Sequence, residues 1–171
     1  MEKINDKATS NLSTKSLDFL WDDLNQYFKK SELRSKESQY KAFKHKNYYI
    51  SFFNDEIRSA FALWWDFDSL VFCEYIVVSG DNRGIGMGSR LLEHLAKLKK
   101  QIVLEVEKGS ELALFYVKNK FVLNDYSYNA IPLNDKEAEK YDLFSYSEPL
   151  TKKNTIILVC DKQNRNISFN H

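Results

Sequence analysis

The stretch Gly80-Asp81-Asn82-Arg83-Gly84-Ile85-Gly86-Met87-Gly88-Ser89-Arg90-Leu91-Leu92 holds four of the five glycines in a chain of 171 residues. Average usage would scatter about twelve through this length, so the backbone is made permissive at one place. The apolar run Leu70 to Val78 precedes it, and Leu91, Leu92, Leu95 and Leu98 follow at helical spacing. The glycines therefore mark a strand-to-helix junction. Without Cβ atoms the peptide planes reach positive φ and approach a ligand closely. The free N–H groups of the first helical turn and the helix dipole attract an anion. Arg83 to Ser89 reads as a pyrophosphate cradle.

Working outward, residues 1 to about 15 are polar without an apolar period and read as a loose start. From Ser16, placed to cap, Leu17, Leu20, Trp21, Leu24, Tyr27 and Phe28 repeat at helical spacing. A shorter helix is expected over Glu37 to Lys44. Three strands in an antiparallel meander follow: Tyr48–Phe53, Ile57–Trp65 and Leu70–Val78, with turns at Asn54-Asp55 and Asp66–Ser69. After the glycines a helix runs to about Lys99, and Ile102–Val106 is a short buried strand. Strand, helix, strand in succession implies a parallel pair joined by a right-handed crossover. Another helix, with Ser110 as its cap, extends to about Asn119. Phe121-Val122-Leu123 begins a further strand, with Tyr141–Tyr146 as its antiparallel partner. The run Thr155–Val159 stays open between a strand, from its β-branched content, and a helix that Thr151 could cap.

The bulk properties narrow the functional classes. Hydrophobic content of 43% with 12 Phe, 10 Tyr and 3 Trp suffices for one core, so a single domain over 1–171 is expected. Lys+Arg number 25 against Asp+Glu 24, without long blocks of one sign. Binding to nucleic acid or membrane through bulk charge is disfavoured. The polar start lacks an apolar leader core, and no apolar stretch nears eighteen residues, which points to a cytoplasmic protein. Cys73 and Cys160 have no metal-type spacing and read as buried thiols, so no metal is expected.

Three kinds of phosphate loop compete for the glycine stretch. A P-loop needs Lys-Ser or Lys-Thr after its last glycine, whereas Gly88 is followed by Ser89-Arg90. A dinucleotide fingerprint needs a third small residue where Ser89 stands, and it opens a βαβ unit rather than closing a meander; Glu107 near the acidic spacing keeps it open. The third kind fits: Arg83-x-x-Gly86-x-Gly88-Ser89-Arg90-Leu91-Leu92, after Tyr75-Ile76-Val77-Val78, resembles the acyl-CoA motif of the GNAT superfamily of N-acetyltransferases. The resemblance continues through Leu104-Glu105-Val106-Glu107 and Leu114-Phe115-Tyr116-Val117-Lys118-Asn119-Lys120-Phe121. It covers residues 70 to 121 with order and spacing kept. Two positions depart: Lys120 replaces the family's usual Gly, leaving Asn119 to take the left-handed conformation, and Gly109-Ser110 replaces an Asn.

What the resemblance implies is specific. The fold would be α+β, a mixed, mostly antiparallel twisted sheet of about six to seven strands with helices on both faces and a V-shaped splay between two central parallel strands. Acetyl-CoA would be the co-substrate, its pyrophosphate held by the main chain of Arg83, Gly84, Ile85, Gly86, Met87, Gly88 and Ser89. Its pantetheine arm would lie against the backbone of Ile76, Val77 and Val78, with the Ser110 hydroxyl as a further contact. Tyr116 matches the family's proton donor to the departing thiolate, since a phenol with pKa near 10 stays protonated at rest. Glu74, a charge inside an apolar strand, is the candidate base. Trp64, Trp65, Tyr126 and Tyr128 are candidates to line an acceptor pocket, and Asp66 and Asp68 could attract a cationic amine. The expected reaction is direct acetyl transfer to a primary amine, most simply of a small molecule. A protein amine, or a catalytically silent acyl-CoA-binding module, are the alternatives, and a homodimer stays open.

Overall fold

Alternating apolar side chains need cover on both faces of a central sheet, and the helices supply it in chain order. A computed structural model describes residues 2–54, 56–129 and 140–154. The chain runs β1 (Ile4–Ala8), α1 (Thr14–Tyr27), α2 (Lys36–Phe43), β2 (Tyr48–Phe53), β3 (Glu56–Phe67), β4 (Leu70–Val78), α3 (Met87–Ala96), β5 (Gln101–Glu107), α4 (Leu112–Lys118), β6 (Phe121–Asn129) and β7 (Lys140–Tyr146). One seven-stranded sheet results, ordered β1-β2-β3-β4-β5-β7-β6. Among the described residues only β4 and β5 pair in parallel; the other five pairings are antiparallel. The mixed sheet of the GNAT resemblance is therefore observed.

Each face carries its own core. On one, α1 and α2 bring Leu20, Leu24, Ala42 and Phe43 onto Tyr48, Trp65, Phe72, Tyr75, Val77 and Leu143. On the other, α3 sets Met87, Leu91, Leu92 and Leu95 against Trp64, Val71, Cys73, Ile102, Leu104 and Phe144. Leu91 is fully buried, so truncating it to Ala would cost about 2–5 kcal/mol. Helix-bounding residues act locally: Ser13 and Ser35 accept from the N–H groups of Ser16 and Ser38 at 3.2 Å each. The tight turns use Asn54 (φ 46°) and Asp68 (φ 56°), types that tolerate the left-handed region.

Several local expectations are corrected. The first fifteen residues are not loose: Ile4 to Ala8 pair with Phe53 to Tyr49. The cap of α1 is Ser13 rather than Ser16. The left-handed residue after α4 is Lys120 (φ 67°), while Asn119 remains at φ −93° and donates its side-chain amide to the Phe115 carbonyl at 2.8 Å. Glu111, not Ser110, immediately precedes α4, although the Ser110 hydroxyl accepts from Leu112 N–H at 3.2 Å. The strand starting at Phe121 extends to Asn129, and β7 both pairs with it and inserts beside β5. Residues 152–154 are helical, with Thr151 Oγ accepting from Asn154 N–H at 3.2 Å. The run 155–159 lies outside the described residues.

Besides Ile4, which packs against the α3-side core, the strand that sequence missed is held by polar contacts. Asp6 meets His94 Nε2 of α3 at 2.9 Å and accepts from Ser51 Oγ at 2.6 Å, and Ser51 in turn accepts from Trp64 Nε1 at 2.9 Å. Arg90 of α3 reaches Glu2 at 2.8 Å. Burial works to raise the Asp6 carboxyl, but the hydrogen bonds of His94 and Ser51 and the His94 charge outweigh it, so the net effect is a lowered pKa. A lowered carboxylate contributes stability that is present above its unfolded pKa, about 3.9, and is lost as pH falls through the folded value. Asp6→Asn should lower Tm by about 2–4 °C at pH 6, the scale of roughly 1 kcal/mol in a chain this long. The gap to the wild type should close in acid below about pH 4; a gap independent of pH would exclude the charge as its cause.

Candidate active site

Two parallel strands that stop pairing make the site. β4 and β5 are matched from Leu70↔Gln101 to Cys73↔Leu104, yet β4 continues to Val78 and β5 to Glu107. Beyond Cys73, β4 keeps its ladder to β3 as far as Ala60↔Val78, and β5 keeps its own to β7 through Glu107↔Tyr141. The strands splay, and among the described residues no strand pairs with β4 beyond Cys73 on the side of β5. Backbone groups left without a partner at such an opening would require water or a ligand. The turn at Asp66–Ser69 lies at the opposite, closed end of the pair, where Asp66 is tied to Lys100.

At the open end stands the glycine junction. Gly84 (φ 79°) and Gly86 (φ 86°) adopt the left-handed conformation, and a Cβ on either would meet nothing within 4 Å. Their requirement is therefore conformational and leaves open space beside the chain. The first intrahelical bond of α3 runs from Arg90 N–H to Gly86 C=O at 3.0 Å. The N–H groups of Met87, Gly88 and Ser89 precede it, and those of Gly84, Ile85 and Gly86 donate to no group among the described residues. Six consecutive amides with a helix N-terminus behind them form an anion site. Arg83 is outside it: its N–H goes to Gly80 C=O at 3.3 Å and its Nε to Val78 C=O at 3.1 Å, with the guanidinium 5.4 Å from the Tyr27 ring centroid. Gly88 answers a different need, because a Cβ there would lie 3.1 Å from Phe115 Cζ and 3.6 Å from Val78 Cγ2.

Two kinds of titratable group flank the splay from opposite faces of the sheet. On the α3 face, the Tyr116 ring packs against Phe121 and Phe144 at centroid distances of 5.9 and 6.4 Å. Burial, and then the neighbouring Cys73, push its phenol above the ordinary range, and its hydroxyl has no hydrogen-bond partner among the described residues. On the α1/α2 face are Glu74, Glu105 and Glu107. Glu105 is opposite Leu143 of that core and follows Leu104, where the β4 pairing ends. In the sequence Glu105 stands only as part of a motif; strand alternation from Leu104 would have placed it on the same face as Glu74.

Glu74 has a distinctive setting. Leu63 is opposite Tyr75 and Trp64 is opposite Cys73, so Glu74 is the extra residue of a bulge in β4. Its carboxylate pairs with Arg34 and accepts from Tyr48 Oη at 2.6 Å and Trp65 Nε1 at 3.2 Å. Both oxygens are engaged. Trp65 thus belongs to this network and stacks on Tyr48 at 4.3 Å. Trp64 faces the α3 core, 4% exposed and stacked on Tyr49; it lines no opening on the acceptor side. The side chains of Tyr126 and Tyr128 lie outside the described residues.

No family model matches the chain. YjbC of Bacillus subtilis (strain 168), a protein assigned as an acetyltransferase, is 30% identical over 151 residues, 84% of this chain and 77% of its own length. A Bacteroides thetaiotaomicron protein of the GNAT acetyltransferase family is 25% identical, superposes with a TM-score of 0.76, and shares 94% coverage of both chains. The chain belongs to the GNAT superfamily of acetyltransferases. Arabidopsis thaliana Naa50, solved with the bisubstrate analogue CoA-Ac-MVNAL, shares the GNAT fold at 19% identity and a TM-score of 0.57, over 81% of this chain and 97% of its own.

In this GNAT protein Gly88 couples the cradle helix to the helix that bears Tyr116. Gly88→Val should force Phe115 aside, lowering Tm by several degrees and reducing acyl transfer at least tenfold, whereas Gly80→Ala, with nothing within 4 Å, should change neither. Thermal melts and a thiol-release assay on both variants check this, and equal effects would refute the packing role of Gly88.

Proposed function

We propose that this acyltransferase moves an acetyl group from acetyl-CoA directly to the primary amine of a small molecule while both are bound. The observation that carries the reading is the splay itself, with six open amides at its mouth, a phenol on one face and carboxylates on the other. The cradle fits a diphosphate, because its donors are main-chain groups and the space beside Gly84 and Gly86 is empty. The backbone along Ile76 to Val78 would bond the pantetheine arm, apart from the Val78 carbonyl, which accepts from Arg83 Nε.

Acetyl-CoA supplies the activated acyl carbon. This chain's residues then handle charge and protons. The amine nitrogen forms the new bond to that carbon as the carbon–sulfur bond breaks, and Tyr116 Oη gives its proton to the departing sulfur. Keeping the phenol above its ordinary pKa holds the donor protonated through the neutral range. An unpaired N–H of β4 would polarise the carbonyl oxygen. Glu105, across the splay from Tyr116, takes the proton released by the amine. Glu74 is not given this role, since Arg34, Tyr48 and Trp65 occupy its oxygens.

A small acceptor is favoured over a peptide by what covers the acceptor face. The connector between α1 and α2 is bound to β4 through Arg34 and Glu32 and to β5 through Lys29–Glu107 at 2.8 Å. An extended peptide would need that groove open.

Thiol release from acetyl-CoA across a panel of small amines and peptides tests the function. Turnover on a small amine supports it; CoA binding without turnover on any amine would favour a silent binding module instead. Gly86→Glu should abolish CoA binding by calorimetry, because it strains a left-handed position and charges the cradle. Tyr116→Phe should slow turnover about 100-fold with CoA affinity kept, and Glu105→Gln should slow it about 100-fold as well. Unchanged rates would remove both residues from the chemistry.

A further inference from the structure

We propose that the buried Arg34–Glu74 pair positions the acceptor, by fixing the α1–α2 connector as one wall of its site; this rests on the acetyltransferase reading above. Regular alternation would place Glu74 and Tyr75 on opposite faces of β4. The bulge brings both to the α1/α2 face. Both then grip the connector, Glu74 through the Arg34 guanidinium and Tyr75 by donating its hydroxyl to the Glu32 carbonyl at 2.9 Å. Phe28 packs edge-on against Tyr75 at 4.9 Å. At the connector's other end Lys29 reaches Glu107, the last residue of β5. The segment from Phe28 to Ser35 is therefore fastened to both strands that splay, on the face where Glu105 stands.

The two fastenings differ in kind. Arg34 and Glu74 have side chains only 10% and 11% exposed, whereas Lys29 and Glu107 are 57% and 40% exposed. An exposed pair contributes little and opens readily. A buried pair seldom stabilises a fold more than apolar residues of similar volume would, and its best-attested use is to fix one arrangement among several. Here the arrangement is specified at many points. Arg34 also donates to Gln39 Oε1 at 3.2 Å and lies 6.0 Å from the Trp65 ring centroid. Tyr48 and Trp65 saturate the other carboxylate oxygen. Burial and then Glu74 raise the Tyr48 phenol well above its ordinary pKa, so it remains a donor. For Arg34, burial favours loss of the proton, but Glu74 outweighs it and the guanidinium stays charged. Such a network holds the connector at a set distance from the splay. Glu74 and Arg34 are positioning residues, not proton carriers.

The test separates this from a base role and from simple destabilisation. In Glu74→Gln, calorimetry with CoA should match the wild type, the acceptor KM should rise at least tenfold, kcat should stay within about threefold, and the pH profile of turnover should not move. Backbone amides of residues 28–35 should exchange with deuterium faster, with the rest of the chain unchanged. A hundredfold or greater loss in kcat, with the acidic limb gone and KM unchanged, would make Glu74 the base and overturn the proposal. Unchanged KM and unchanged exchange would overturn it too. Should Glu74→Gln fail to fold, the double variant Arg34→Met/Glu74→Gln, which leaves no unpaired buried charge, should fold and keep the raised KM; a wild-type KM in it would refute the positioning role. A wild-type protein without CoA binding or turnover would instead sink the enzymatic reading on which the inference depends.

Discussion

The parallel pairing of β4 and β5 ends after Cys73↔Leu104, where the bulge at Glu74 interrupts the regular alternation of β4, while the outer ladders run on, β4 to β3 through Val78 and β5 to β7 through Glu107. The opening is a feature of register, since beyond Leu104 the described residues pair β5 with β7 and not with β4. Everything assigned to the site is arranged about this opening. The cradle lies at its mouth because the crossover from β4 to β5 must start there. Tyr116 and Glu105 come from opposite faces because strand alternation and the two helical layers separate them.

The glycine residues of the cradle do unlike jobs. Gly84 and Gly86 are used for positive φ, with open space where a Cβ would stand, while Gly88 is used for closeness to Phe115 and Val78. A second economy appears in β4. One extra residue at Glu74 reverses the alternation, so the lower strand feeds one core with Leu70 and Phe72 and the upper strand with Tyr75 and Val77, and the carboxylate between them is turned toward Arg34.

Much was legible in the residues. The helical spacing of α1 and α3, the meander β2–β4 and the glycine junction all came from periodicity and composition, because each element's pattern agrees with its final environment. Ile4–Ala8 was not, since INDKA has almost no apolar signal and its place at the sheet edge depends on His94, Ser51 and Arg90, distant in sequence. Lys120 taking the left-handed conformation, with Asn119 used to cap carbonyls, is likewise a tertiary outcome: the Lys120 carbonyl accepts from Ser147 N–H at 2.7 Å. Glu74 stands out in the sequence as an anomalous charge, but nothing there points to its partner forty residues away.

By itself, the sequence determined that a strand of apolar residues must hand over to a helix through a run of open amides, because four clustered glycines and a downstream leucine stripe allow little else. It also determined the chemical types available there, a phenol in α4 and carboxylates in the strands. Only the tertiary structure decided where the parallel pair parts and that the Glu74 carboxylate is bound by Arg34, Tyr48 and Trp65. Those outcomes depend on strand register and on contacts between residues far apart in the chain. One shifted residue, as the bulge at Glu74 shows, moves a side chain to the other face of the sheet.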